Sequence, residues 1–126
     1  MHQAWHQGVI LCGVSAGMIC WFESSVTDSF GPLCELKDGL GFLPGSACPH
    51  YDSAAGRRAA YHRLIEKKIL PAGVAADDGA AIHFTDKRIF KCVSSRPSAR
   101  VYRVERQDRR VIETPLATEY LETNRN

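Results

Sequence analysis

Ser15, His50 and an aspartate at 77 or 78 are the residues of this chain whose types and settings could do chemistry together. Ser15 lies in Gly13-Val14-Ser15-Ala16-Gly17, directly behind the apolar run Val9-Ile10-Leu11-Cys12. A short apolar strand followed by Gly-x-Ser-x-Gly is the sequence form of a nucleophile elbow. The glycines allow a sharp turn from strand into helix and leave the hydroxyl exposed at the tip. The helix expected from Ala16 points its free N–H groups and the positive end of its dipole at the same spot. That geometry suits a nucleophile whose attack builds an oxyanion. The same pentapeptide also fits a tight strand–helix turn around a buried serine.

A serine nucleophile needs a base, and the base needs a group that holds its tautomer. Of the five histidines, His2 and His6 lie at the terminus, His62 sits in an amphipathic helical pattern and His83 in an expected strand. His50 differs, because Cys48-Pro49-His50-Tyr51-Asp52 follows a short apolar segment and puts the imidazole in a loop at the end of an element. Asp77 and Asp78 follow an expected strand and precede Gly79, so either could orient the base. An Asp-Gly turn also needs no function. Asp28, Asp38 and Asp52 are weaker candidates by position.

The elements that must hold these groups follow from pattern. Residues 1–7 read as a helix end or a frayed terminus, Gly8–Val14 as a buried strand and Ala16–Phe22 as a short helix. Glu23–Asp38, polar and interrupted by Gly31-Pro32, reads as a loop or extended excursion. Leu40–Leu43 is a short apolar element ended by Pro44-Gly45, and Ala47–Tyr51 leads into a second turn. Ala54–Lys68 has helical spacing, with Tyr61, Leu64 and Ile65 on the apolar face and Arg57, Arg58, Arg63, Glu66 and Lys67 outside. Gly73–Ala76 is a strand ended by the Asp77-Asp78-Gly79 turn. Ala80–Phe84 and Arg88–Val93 flank Thr85-Asp86-Lys87 as a hairpin, and Arg100–Arg106 turns at Gln107-Asp108 into Val111–Glu113. The tail 118–126 is polar and expected to be loose. Strand–helix alternation followed by hairpins predicts a three-layer α/β fold with antiparallel strands at one side.

With 126 residues, 44% of them hydrophobic and 24% charged, the chain predicts one domain with a real core. A formal net charge of +2 points to no polyanionic partner. Arg96, Arg100, Arg103, Arg106, Arg109 and Arg110 make a basic stretch, but acids interrupt it and a solvated hairpin face accounts for it, so nucleic-acid binding is not expected. No stretch is long and apolar enough to span a bilayer, and the N-terminus lacks the form of a secretory signal. Five scattered cysteines without a C-x-x-C pair predict reduced thiols and a cytoplasmic protein. Cys48-x-His50 and the His2/His6 pair lack further spaced ligands, so neither a metal nor any other cofactor is expected.

Taken in series, these segments resemble the peptidase E family, the aspartyl dipeptidases and cyanophycinase-like serine peptidases. The match runs from Gly13-Val14-Ser15-Ala16-Gly17 through Gly39-Leu40-Gly41-Phe42-Leu43-Pro44 and Pro49-His50-Tyr51-Asp52. It continues through Arg57 and the Tyr61–Ile65 helix face to Asp77-Asp78-Gly79-Ala80-Ala81-Ile82, covering about residues 8–116 as the core of a single domain. The resemblance implies a three-layer α/β/α fold of the class I glutamine amidotransferase-like type, with a mostly parallel sheet. It also implies a triad of Ser15, His50 and Asp78, with Asp77 as the alternative acid and the Ala16 N–H as an oxyanion donor. The implied reaction is cleavage after an N-terminal aspartate through an acyl-enzyme. Arg57 could pair with the substrate carboxylate, although its place in the pattern slightly favours a solvated first-turn residue.

The chain departs from the family in two ways. The acid is often Glu there, a longer arm than Asp. Family members also carry strands and a Gly-rich loop ahead of the nucleophile strand, where this chain has about seven residues. An apolar Val9–Val14 strand without neighbours would be a docking edge, so self-association or a partner is expected in addition to a peptide substrate. A catalytically silent domain that acts only through association is the competing expectation. A Cys-type amidotransferase-like hydrolase is disfavoured by serine at the elbow.

Overall fold

A computed structural model of the chain describes residues 1–122. The helices are α1 (His2–His6), α2 (Ala16–Ile19) and α3 (Arg57–Glu66). The strands are β1 (Phe22–Thr27), β2 (Cys34–Leu36), β3 (Leu43–Cys48), β4 (Gly73–Ala76), β5 (Ala80–Thr85), β6 (Arg88–Ser94), β7 (Val101–Gln107), β8 (Arg110–Leu116) and β9 (Thr118–Tyr120). A mixed sheet takes the order β2-β1-β3-β4-β7-β8, and a smaller sheet the order β5-β6-β9. Within the larger sheet β1, β3 and β4 run parallel and the other pairs antiparallel, so the sheet is mixed rather than mostly parallel as expected.

The core straddles the larger sheet. Strand side chains alternate between faces, and the apolar clusters divide accordingly. Cys48 and Ala75 join Tyr61, Leu64 and Ile65 of α3 on one face. Ala47 and Val74, one residue earlier on β3 and β4, join Ile19 of α2 and Phe22 on the other, with Ile82 and Phe84 of β5 packed against them. The spacing of Tyr61, Leu64 and Ile65 therefore produces the helix face that the pattern predicts. Close backbone packing fixes β3 against β4, since a Cβ on Gly73 would overlap the Ser46 carbonyl.

Several expectations are corrected. Residues 9–14 form no strand, and Ile10 is 89% exposed. The segment is apolar enough for a strand, but no described strand pairs with it, and without a ladder its backbone gains nothing from strand geometry. Residues 23–38 hold β1 and β2 as an antiparallel pair rather than a loop. Pro44-Gly45 does not end an element but lies inside β3. The β1–β3 register slips there, from Phe22 opposite Leu43 to Ser24 opposite Ser46, and this irregularity absorbs the proline and the left-handed Gly45 at φ 84°. Residues 118–120 are not a loose tail. They pair with β6 as β9, held by a Lys91–Glu119 ion pair of 2.6 Å and by the Leu121 N–H donating to the Ser94 carbonyl at 2.8 Å. The remainder of the expected loose tail, 123–126, lies outside the described residues. The hairpins β5–β6 and β7–β8 form as predicted.

Candidate active site

The parallel pairing of β3 and β4 brings the turns that follow them together at the carboxyl edge of the sheet. His50 comes two residues after the end of β3, and Asp78 two residues after the end of β4. The Tyr51 N–H donates to the Ala76 carbonyl at 3.1 Å, tying one turn to the other. α2 packs on β1 and β3 and presents Ser15 at its N-terminal end to the same edge.

Ser15 sits in a left-handed backbone conformation, φ 56° and ψ −117°. Serine adopts this region only where its surroundings enforce it. Here the turn is so tight that a Cβ on Gly13 would collide with the Gly17 carbonyl, which explains the first glycine of the pentapeptide. The Gly17 N–H donates to the Val14 carbonyl at 2.9 Å and closes the elbow. Among the described residues the Ala16 N–H donates to no backbone carbonyl, so it stays free beside the Ser15 hydroxyl. His50 is also left-handed, at φ 53°.

The three side chains form a continuous relay. The Ser15 hydroxyl lies 2.9 Å from His50 Nε2, and His50 Nδ1 lies 2.6 Å from Asp78 Oδ1. With Asp78 ionised, the imidazole carries its proton on Nδ1 and donates it to the carboxylate, leaving Nε2 to accept from the serine. Hydrogen bonds from Ser53 and from His50 hold the Asp78 carboxyl below the ordinary value of 3.8. Asp77 turns elsewhere: its Oδ2 accepts from the Arg100 N–H at 2.9 Å, and burial pushes its carboxyl up. The shorter reach of Asp relative to Glu therefore still spans the distance to His50, and the structure brings Asp78 rather than Asp77 to the imidazole.

Beside Ser15 a cavity of about 310 Å³ opens between Ile19, Thr27, Asp28, Ser29, Ala54 and Arg57. Arg57 is 4% exposed and so is not a solvated first-turn residue. Its Nη2 lies 3.1 Å from Asp28 Oδ2, while its buried Nε has no hydrogen-bond partner among the described residues. A buried guanidinium N–H without an acceptor is costly, and the anion that this guanidinium faces is the Asp28 carboxylate. On the other side of the relay, a larger cleft of about 760 Å³ runs between residues 8–15 and β5, lined by apolar side chains including Trp5, Met18, Trp21 and Phe84. Among the described residues no group of three or more His, Cys, Asp or Glu is placed to hold a metal ion.

Sequence reasoning passed over the residues around the relay. Asp52, weak by position, accepts from the Asp78 N–H at 2.8 Å, and Arg96 of the expected solvated face donates to Asp52 at 2.7 Å. Only the adjacency of Asp52 to Pro49-His50 hinted at this. Asp28 and Thr27 reach the cavity because β1 runs parallel to β3, which the polar composition of 23–38 obscures.

The profile of peptidase family S51 matches residues 1–92. A protein of Bacillus subtilis (strain 168), the uncharacterized peptidase YgaJ, is 54% identical over 121 residues, which is 96% of this chain and 52% of the relative. The chain thus spans about half the length of that relative. No solved structure matches the chain significantly.

Proposed function

We propose that this chain, which belongs to peptidase family S51, forms the catalytic part of a serine peptidase that cleaves after an N-terminal aspartate. The observation that carries the proposal is the relay Ser15–His50–Asp78 at 2.9 and 2.6 Å. His50 Nε2 takes the hydroxyl proton as Ser15 Oγ attacks the peptide carbonyl. The Ala16 N–H faces the oxyanion that forms. His50 then gives its proton to the leaving amine, and the acyl group remains on Ser15 as an ester. Water attacks that ester with His50 again as base, releasing the acid and restoring the serine. Asp78 holds the tautomer and stabilises the imidazolium in both halves.

The carboxylate of an aspartyl substrate would pair with the Arg57 guanidinium, which lines the cavity beside Ser15 next to Asp28. A hydrogen bond to a charged group contributes about 1.5–3 kcal/mol. Asp-X dipeptides are therefore expected to be cleaved about ten- to a hundredfold faster than Asn-X in kcat/KM, and Arg57→Met to erase the difference. Equal rates on both substrates would remove the aspartyl specificity.

Helices on both faces of the parallel strands β1, β3 and β4, with the elbow ahead of β1, support the three-layer amidotransferase-like architecture over a single domain with its core at 8–116. Five unpaired cysteines support a cytoplasmic setting. A second reading, a domain that acts through association, is favoured by the apolar cleft beside residues 8–15 and the exposed Val9, Ile10 and Val14. On this reading the chain self-associates or takes a partner there, and a monodisperse monomer by light scattering at micromolar concentration would exclude self-association.

A further inference from the structure

Asp78 has an unusual task for a surface group. Its side chain is 41% exposed, yet it must hold the His50 imidazole in one orientation. Packing does not fix it, so hydrogen bonds must: Ser53 and His50 bond its carboxyl directly, and further bonds hold the turn that carries it. That turn is tied at both ends. The Asp78 N–H donates to Asp52 Oδ1 at 2.8 Å, and the Gly79 carbonyl accepts from the Ser95 N–H at 2.9 Å. Asp52 Oδ2 in turn accepts from Arg96 Nη2 at 2.7 Å, and the Arg96 stem lies against Gly79. Asp52 is two residues beyond His50, and Arg96 follows β6. One carboxylate therefore joins the base loop, the acid turn and the end of the hairpin.

Resting on the reading of Ser15, His50 and Asp78 as a triad, we propose that Asp52, neutralised by Arg96, is a positioning residue that aims Asp78 at His50. The chemistry requires both halves of the device. A carboxylate accepting from a backbone N–H makes a charge-assisted bond that fixes the peptide plane and hence the direction of the Asp78 side chain. A second anion close to Asp78 would repel it, and the Arg96 guanidinium removes that repulsion. Burial pushes the Asp52 carboxyl up, but the bonds from the Asp78 N–H and Arg96 outweigh it and hold Asp52 ionised. The Arg96–Asp52 pair is exposed and by itself contributes little to stability. Its effect is expected in the alignment of the site rather than in the fold.

Two readouts test this in the intact chain: the rate of covalent labelling of Ser15 by a fluorophosphonate, and the downfield proton resonance of the His50 Nδ1–H in the free protein. Asp52→Ala is expected to slow labelling about a hundredfold, as for a small misplacement of a catalytic group, and to broaden the resonance away. Asp52→Asn keeps an acceptor for the Asp78 N–H and is expected to restore most of both. Arg96→Met is expected to slow labelling less, and the double variant Asp52→Ala/Arg96→Met to be no slower than Asp52→Ala alone, because both act through one carboxylate. Folded Asp52→Ala with the wild-type rate and resonance would overturn the proposal. Should Asp52→Ala not fold, Arg96→Met with an unchanged rate and resonance would overturn it. The resonance separates this from failure of the triad reading: wild-type chain that shows it but is not labelled contradicts serine chemistry, while the Asp52 variants still decide the positioning. A wild-type chain without the resonance overturns both.

Discussion

At the scale of single residues, the division of labour between neighbouring aspartates follows from what each carboxylate faces. Asp78 meets His50, whereas Asp77 caps the Arg100 N–H. Replacing the orienting acid of a serine triad by its amide removes the preference for the working tautomer and costs about 10⁴-fold in kcat. Asp78→Asn is expected to lose activity or fluorophosphonate labelling on that scale, while Asp77→Asn changes thermal stability and leaves the rate close to wild type. Rate measurements on the two variants decide between them, and the reverse ranking would make Asp77 the acid. Ser15 and His50 were legible because their local settings, a glycine-flanked elbow and a Pro-His loop, are chemically unusual. The choice between Asp77 and Asp78 was not legible, because one peptide unit reverses the direction of a side chain and sequence does not record it. Arg57 was misread for a similar reason: it stands among charged neighbours on α3, yet the packing of that turn against β1 buries it.

At the scale of elements, patterning identified the strands and helices that find partners close in sequence. The hairpins β5–β6 and β7–β8, and α3 with its Tyr61–Leu64–Ile65 face, follow from alternation, turn residues and helical spacing. Elements that depend on distant partners were harder. β3 continues through Pro44-Gly45 because the slip against β1 accommodates them, and β9 forms because β6 offers an edge. Residues 9–14 show the converse, an apolar run with no ladder to join. Among their amides, Val9 donates to the Ala4 carbonyl at 3.0 Å, and none from Ile10 to Val14 donates to a backbone carbonyl. In native-state hydrogen exchange the amides of Ile10 to Val14 are expected to exchange near the rate of an open chain, while those of β3 and β4 are protected. Protection of the 10–14 amides equal to that of β4 would mean that a partner strand covers them.

For the molecule as a whole, the polar couplings that align the site also set its response to acid. Asp78, Asp52 and Glu113 all lie below their ordinary values of 3.8, 3.8 and 4.5. For Glu113, burial pushes up but the bonds from Tyr51 and Arg58 win. A carboxylate whose folded pKa is depressed stabilises the fold above its unfolded pKa, and that contribution is lost as pH falls through the folded pKa. The Tm is therefore expected to stay level between about pH 5 and pH 7 and to fall steeply below about pH 4. Glu113→Gln should make that fall shallower, as read by thermal melts followed by circular dichroism. A Tm that rises on acidification would contradict the assignment of these groups as ionised and paired. The order of the motifs along the chain let sequence place them in one family, but their convergence at one edge of the sheet depends on the parallel β1–β3–β4 pairing, which no local signal encodes.

The central claim is that His50 and Asp78 activate Ser15 as a nucleophile. Treating the purified, folded chain with a fluorophosphonate and reading the modified residue by mass spectrometry tests it most directly. The account predicts a single adduct on Ser15 that disappears in Ser15→Ala and in His50→Ala. A folded chain that takes no adduct, or takes it on another residue, would contradict it.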